Sequence, residues 1–361
     1  MSHAKNFYAG PSVLPISILE EIQKNMVDYM GSGLSLMETS HRSPEYDEVH
    51  MNSLNLIREI YGVPDNFKIL FIGGGATMQF SMIPLNFLSG GRSCDFTLTG
   101  AWSKKAYNDA IKLGKVNVIF DGKDESYTRL PDPASLKATP GASYFHMTSN
   151  ETIGGIQWKD WPDTGDVPII CDMSSDIMSR PIPFEKFGMI YAGAQKNLGP
   201  SGVAIVIIRE DMLEKCNPDI TAYLDYRIHA KKDSLYNTPP VFPIYAMSLI
   251  LQKVKADGGL KSIQNRNEEK SRLIYDTIDK SGNFYKSPVD VSVRSDMNVV
   301  FTLDSTDLEK EFIAEAKKRQ MVGLKGHVSV GGCRASIYNS LPISDVMALV
   351  DFMNEFQKEK S

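Results

Sequence analysis

The sequence predicts an α/β protein, with a large three-layer α/β/α domain built on a mainly parallel sheet over residues 1–259 and a smaller C-terminal α+β domain over residues 260–361. Three observations predict it. The chain has 361 residues, more than one ordinary domain of roughly 100 to 200 residues holds. Short apolar runs alternate with helical patterns through the first part, as βαβ units do. After residue 260 the order changes to a compact set of short strands and amphipathic helices.

In order along the chain, strands are expected at 68–72 (KILFI), 116–120 (VNVIF), 143–147 (SYFHM), 168–171 (PIIC), 189–192 (MIYA) and 203–208 (VAIVII). All are short, several carry β-branched or aromatic residues, and polar, Gly or Pro residues often bound them, as in strands covered on both faces. Helices are expected at 76–87 and 103–112. Residues 223–243, with Asn237-Thr238-Pro239-Pro240, read as an excursion across the surface or a partner. Beyond residue 260, a strand at 297–303 precedes Thr306 and Glu309. Their capping-box spacing opens a helix whose Leu308, Phe312 and Ala316 recur at four-residue intervals. Short strands at 322–324 and 335–338 follow, then a helix with Val346, Leu349, Val350, Met353 and Phe356 on one face.

The composition, 42% hydrophobic, 9% aromatic and 23% charged, excludes disordered, collagen-like and coiled-coil classes. Lys+Arg 39 against Asp+Glu 44 gives a net charge of −5. No basic field results that would gather nucleic acid or an anionic membrane. Cys94, Cys171, Cys216 and Cys333 are too scattered for a Cys-x-x-Cys pair and too few for a disulfide scaffold, so a reducing compartment is expected. No apolar run approaches the roughly 20 residues that span a bilayer, and the N-terminus lacks a signal-peptide pattern. The expected setting is the cytoplasm.

Four groups of residues suggest chemistry. Gly73-Gly74-Gly75-Ala76-Thr77-Met78-Gln79 joins a strand to a helix, and its exposed N–H groups would suit a phosphate. It is neither a Walker loop nor a dinucleotide loop, and alone it reads equally as a ligand-free turn. Asp172 and Lys196 each stand just past an apolar run, and the carboxyl ends of neighbouring strands meet at one crevice. There an amine can condense with an aldehyde and a carboxylate can keep a heterocyclic nitrogen protonated. Seen singly, the lysine reads as a solvated loop residue and the aspartate as a helix cap. Trp102 sits at a loop-to-helix transition where its indole could stack on a planar ring or simply be core. His41, Arg42, His327 and Arg334 suit a substrate with two anionic ends, or are surface residues. No His-Glu-x-x-His pair or Gly-x-Ser-x-Gly elbow occurs, and no metal is expected.

Together, Gly74-Gly75-Ala76-Thr77-x-Gln79, Trp102, Asp172, Gln195-Lys196-Asn197-x-Gly199-Pro200-Ser201-Gly202, Asn237-Thr238-Pro239-Pro240 and Gly331-Gly332-x-Arg334-Ala335-Ser336-x-Tyr338-Asn339 occur in a characteristic order. The chain thereby resembles the phosphoserine aminotransferases, class V members of fold type I, from Asn6-Phe7-x-Ala9-Gly10-Pro11 to the last helix. The resemblance implies pyridoxal 5'-phosphate as cofactor and a homodimer with active sites at its interface. It also implies amino-group transfer between L-glutamate and 3-phosphohydroxypyruvate, giving O-phospho-L-serine and 2-oxoglutarate in serine biosynthesis, with phosphohydroxythreonine a further candidate substrate. Lys196 would hold the cofactor and act as general base and then acid, Asp172 would pair with the pyridinium nitrogen, and Trp102 would stack on the ring. Thr152 would bond near the phenolic oxygen. Ala76, Thr77 and Gln195 would hold the cofactor phosphate, joined by Asn237 and Thr238 of the neighbouring subunit. His41, Arg42, His327 and Arg334 would surround the substrate's carboxylate and phosphate.

One position departs from the family pattern: Val328 stands where an arginine is usual. Loss of a charge-assisted hydrogen bond there would weaken substrate binding by about 1.5 to 3 kcal/mol unless His41, Arg42 and His327 suffice, as is expected. Alanine:glyoxylate aminotransferases and cysteine desulfurases are rival readings on the same fold. Desulfurases carry His where Gln195 stands.

Overall fold

Backbone hydrogen bonding gathers the apolar runs into one seven-stranded sheet in a computed structural model, which describes residues 3–361. Its strands are β1 (Phe67–Ile72), β2 (Ser93–Leu98), β3 (Lys115–Asp121), β4 (Phe145–Thr148), β5 (Ile169–Asp172), β6 (Phe187–Gly193) and β7 (Ala204–Arg209). They lie in the order β1-β7-β6-β5-β4-β2-β3. The strands β2 to β6 pair in parallel, whereas β7 is antiparallel to both β1 and β6. The reversal has a local cause. Residues 194–203 alone join β6 to β7, fewer than the roughly dozen needed for a parallel crossover.

Each expected strand of this sheet overlaps an observed one, but β2 was not anticipated. Its sequence, SCDFTL, is interrupted by Asp95, which is fully buried. The Asp95 carboxylate accepts from Thr139 N at 2.6 Å and from Asn117 Nδ2 at 2.8 Å. A satisfied acid can occupy a core strand.

Side-chain alternation divides the layers. On β7, Ile205 and Ile207 pack in one core with Ile18 and Ile22 of the helix α1 (Ile16–Lys24), Tyr46 and Leu56 of the helix α2 (Pro44–Tyr61) and Ile250 of the helix Val241–Ala256. Val206 and Ile208 face the other way, into a core with Phe80 and Ile83 of α3 (Gly75–Phe87) and Ala106 of α4 (Ala101–Ala110). This is the period of two that a strand imposes. A third core gathers Ile274 and Ile278 of the helix Gly259–Lys280 with Phe301, Phe312, Leu349 and Phe356, and also takes Phe7 and Val13 from the N-terminal segment. Leu260 and Ile263 of that helix instead join the first core. Here Asn298–Phe301 pairs antiparallel with Cys333–Ser336, and Lys5–Asn6 pairs parallel with Met321–Val322.

Two local expectations need correction. The cap of the helix Thr306–Lys318 is Ser305, whose hydroxyl accepts from Leu308 N at 3.2 Å, so Thr306 is the first helical residue. Residues 223–243 do not merely cross the surface, because Tyr226 and His229 are buried and Tyr226 Oη donates to Gln79 Oε1 at 2.7 Å. Among the described residues no helix is long and apolar enough to cross a membrane.

Candidate active site

The carboxyl ends of β4, β5 and β6 open on one side of the sheet, the usual ligand crevice of a parallel α/β fold. There a cavity of about 500 Å3 is lined by Thr148, Asp172 and Lys196, by Gly74 to Thr77 at the start of α3, by Trp102 at the start of α4, and by Thr152 and Gln195.

The anion-seeking wall is α3. Gly74, its N-cap, has φ +87°, and a Cβ there would lie 2.7 Å from Met78 Cβ, so this turn requires glycine. The first bond of the helix is Met78 N to Gly74 O at 3.3 Å. The N–H groups just ahead of it have no partner inside the helix and stand at the positive end of its dipole.

Lys196 lies in the short β6–β7 link and is buried. Its Nζ donates to Thr152 Oγ1 at 2.6 Å and stands 5.6 Å from the Trp102 ring centroid. Burial pulls the amine down to about 8; the Asp172 charge opposes this and the Arg334 charge reinforces it. Asp172 Oδ1 accepts from Ser174 N at 2.9 Å. Burial raises the Asp172 carboxyl, while Ser174 and the Lys196 charge favour the ionised form. The N-terminal segment closes over the lysine, where Ser12 Oγ donates to the Lys196 carbonyl and a Cβ on Gly10 would lie 3.3 Å from Lys196 Cγ.

Two donors in this region remain unspent. Trp102 Nε1 and Arg334 Nε are buried without a partner among the described residues, although Arg334 Nη1 reaches Thr152 O at 3.3 Å. A buried donor with no acceptor is costly. An anion seat, a partly neutral amine, a carboxylate and an indole thus share one cavity. That donor set fits a phosphorylated heteroaromatic aldehyde.

Of the residues singled out from the sequence, Ala76, Thr77, Trp102, Thr152, Asp172, Gln195 and Lys196 line this cavity, and Arg334 adjoins it through Thr152. His41, Arg42, His327, Asn237 and Thr238 do not line it. His327 is exposed and its Nδ1 shares a 2.7 Å hydrogen bond with Ser329 Oγ. Asn237 Nδ2 donates to Thr238 O at 3.0 Å. Sequence reasoning missed Thr148, Asn150, Ser174 and Ser175, which also line the cavity, as does Ser201, noted only as part of a motif. Most of these follow or end a parallel strand, and that position is the signal by which they could have been found.

Known proteins are similar to this chain over nearly its whole length. The "Aminotransferase class-V" family profile matches residues 5–349. A phosphoserine aminotransferase of Lysinibacillus sphaericus is 50% identical over 356 residues, covering 99% of this chain and 98% of that one. The solved phosphoserine aminotransferase of Bacillus circulans subsp. alkalophilus is 47% identical with a TM-score of 0.97, covering 99% of each chain. The PLP-bound phosphoserine aminotransferase of Trichomonas vaginalis is 38% identical with a TM-score of 0.89, covering 98% of this chain and 100% of that one. The chain belongs to the class-V aminotransferases and, within them, to the phosphoserine aminotransferase family.

Proposed function

We propose that this chain is a pyridoxal 5'-phosphate-dependent transaminase that exchanges the amino group between L-glutamate and 3-phosphohydroxypyruvate. The observation that carries this reading is the buried Lys196 amine, 2.6 Å from Thr152 Oγ1, in one cavity with Asp172, Trp102 and the start of α3.

When bound there, pyridoxal 5'-phosphate supplies a protonated ring able to take up the electron pair of the substrate's Cα–H bond. The residues do the rest. The α3 N–H groups, with Ala76, Thr77 and Gln195, hold the cofactor phosphate. Lys196 anchors the aldehyde, takes the Cα proton and returns it on the other side of the transfer. Asp172 would pair with the ring nitrogen and keep it protonated, Thr152 would bond near the phenolic oxygen, and Trp102 would cover the ring and keep water off it. Arg334 comes from the unit that we read as the small domain, residues 260–361. Its unspent guanidinium N–H is free to bind the substrate carboxylate. His41, Arg42 and His327 are assigned to the remaining anionic end.

A second copy of the chain completes this reading. Asn237 and Thr238, assigned to the cofactor phosphate, lie outside the cavity of their own chain. Val27, Met30 and Met37 are exposed apolar side chains near α2, and Tyr236 is exposed beside Asn237. His50 Nε2 joins α2 to this segment at Asp233 O, 2.7 Å away. A homodimer would cover this surface and bring the outlying residues to a neighbouring cavity. Four free, buried cysteines support a reducing, cytoplasmic setting.

The test adds O-phosphoserine, alanine or cysteine separately to the purified yellow protein. Rapid bleaching of the visible band by O-phosphoserine alone is expected. Bleaching by alanine alone would move the chain to a different specificity, and a colourless protein unable to take up the cofactor would sink the reading. Val328 is 92% exposed and an arginine there adds a charge without disturbing packing. Val328→Arg is expected to change the KM for O-phosphoserine less than about threefold, whereas a fall by the roughly tenfold that 1.4 kcal/mol represents would mean that the existing cations fall short.

The lysine also sets a pH dependence. Only the neutral amine attacks an aldehyde, so capture of pyridoxal phosphate by the cofactor-free protein should accelerate with pH up to about 8 and level off above it. Arg334→Leu removes a charge that disfavours the protonated amine, so the midpoint moves to higher pH. Asp172→Asn removes one that favours it, so the midpoint falls. Stopped-flow absorbance between pH 6 and 10 reads all three, and a midpoint near the ordinary lysine value of about 10.4 would contradict the burial of Lys196.

A further inference from the structure

We propose that Glu151 is a positioning residue for the reaction: its carboxylate caps the first turn of α4 and so fixes the Trp102 backbone from which the cavity's indole projects. The proposal rests on the reading of Trp102 as the residue that covers the cofactor.

Glu151 is 1% exposed, and no step of the mechanism uses it. Burial, with a smaller contribution from the Asp172 charge, raises its carboxyl, and the Ser103 and Trp102 hydrogen bonds favour the ionised form; every hydrogen-bond partner of its side chain is a donor. Glu151 Oε2 accepts from Trp102 N at 3.1 Å, and Oε1 accepts from Ser103 N at 3.0 Å and Ser103 Oγ at 2.8 Å, with Thr99 Oγ1 at 3.5 Å. These two backbone N–H groups are among those a helix start leaves unpaired. Ordinarily a Ser, Thr, Asp or Asn side chain at the N-cap would take one of them. Here the N-cap is Gly100, which has no side chain to offer.

The glycine is part of the same device. Its φ of 164° is extended backbone open to any residue, so no conformational reason calls for glycine. A Cβ at this position would instead lie 2.6 Å from Glu151 Cδ and 2.7 Å from Oε2. Gly100 leaves the space through which a carboxylate from another strand reaches the helix. An anion at this end is also favoured by the helix dipole.

The connection runs to the cavity from both ends of Glu151. Through space it holds Trp102 N; along the chain its next residue is Thr152, whose hydroxyl meets Lys196 Nζ at 2.6 Å. One carboxylate therefore ties the indole-bearing helix to the strand end that carries the lysine's partner. Glutamine could fill the same volume, but its NH2 would face Trp102 N–H or Ser103 N–H, donor against donor.

The test compares Glu151→Gln, Gly100→Ala and, as a control, Ser305→Ala, which removes an ordinary cap from a remote helix. The visible circular dichroism of the bound cofactor reports how the indole sits against the ring. Steady-state kinetics with O-phosphoserine and the melting temperature complete the comparison. Glu151→Gln and Gly100→Ala should each lose about half or more of the dichroism per bound cofactor. Each should lower kcat about tenfold, in line with the sensitivity of rates to small misplacements, with KM changed less than about twofold. Ser305→Ala should lower the melting temperature but leave dichroism and kcat alone. Gly100→Ala keeps the charge and displaces it, so it decides the matter if Glu151→Gln does not fold. Wild-type dichroism and kcat in both variants, or equal losses in Ser305→Ala, would overturn the positioning role. A wild-type protein with no visible band would overturn the cofactor reading beneath it, and this proposal with it.

Discussion

Replacing Lys196 by alanine is expected to lower the rate of amino-group transfer by at least about 10^4-fold, the upper range for loss of a positioned acid–base group, because the same amine also anchors the cofactor. Among the described residues no other one lining the cavity carries an amine, so none of them can substitute. The fold should survive. The side chain makes one hydrogen bond, to Thr152 Oγ1, and losing such a bond costs about 1 kcal/mol, while a buried ammonium is itself expensive to desolvate. Lys196→Arg should be nearly as inactive, since a guanidinium stays protonated and cannot take a proton. Single-turnover kinetics on the cofactor-loaded variants measures the loss. Partial rescue of Lys196→Ala by a small primary amine would identify the missing function as proton transfer. A variant within tenfold of wild type would mean that another group moves the proton.

The lysine and its carboxylate partner were legible because each follows a strand with a simple apolar sequence. PIIC and MIYA announce buried strands, and the residues just past them must lie at the carboxyl edge of a parallel sheet. Where a buried group is polar and locally satisfied, the sequence misleads. Asp95 hid β2 because its partners, Thr139 and Asn117, are 44 and 22 residues away. Glu151 was silent for the same reason, since its donors Trp102 and Ser103 lie 49 and 48 residues away. A glycine at a helix start without a capping side chain was the one hint that an acceptor must come from elsewhere. Ser305 displaced the expected cap by one position because both Ser305 and Thr306 can cap a helix, and only backbone geometry chooses between them. The outlying residues His41, Arg42, His327, Asn237 and Thr238 are a different case. Asn237 and Thr238 stand out by motif order, and His41, Arg42 and His327 as cations suited to anionic groups, but neither signal says whether a side chain lines the cavity of its own chain.

Asp172→Asn should reduce turnover by about 10^3-fold, the scale seen when one preorganised electrostatic partner of a transition state is removed. The substitution is nearly isosteric, and an asparagine oxygen can still accept from Ser174 N, as Oδ1 does at 2.9 Å. Packing should therefore change little. What is lost is charge. Burial alone would push the Asp172 carboxyl towards its neutral form, and the Ser174 bonds and the Lys196 cation work against that. An ionised carboxylate at this point favours a protonated ring nitrogen, whereas the asparagine amide favours the unprotonated one. Removal of the Cα proton then becomes slower, so the kinetic isotope effect for Cα-deuterated O-phosphoserine should rise as kcat falls. A cofactor analogue methylated on the ring nitrogen carries the positive charge permanently and should restore part of the rate to Asp172→Asn while giving no gain to the wild type. Unchanged turnover and isotope effect in Asp172→Asn would reduce the carboxylate to a structural acceptor for Ser174. A rate loss that the methylated analogue leaves untouched would place the role of Asp172 in its action on Lys196, whose amine it holds towards the protonated form.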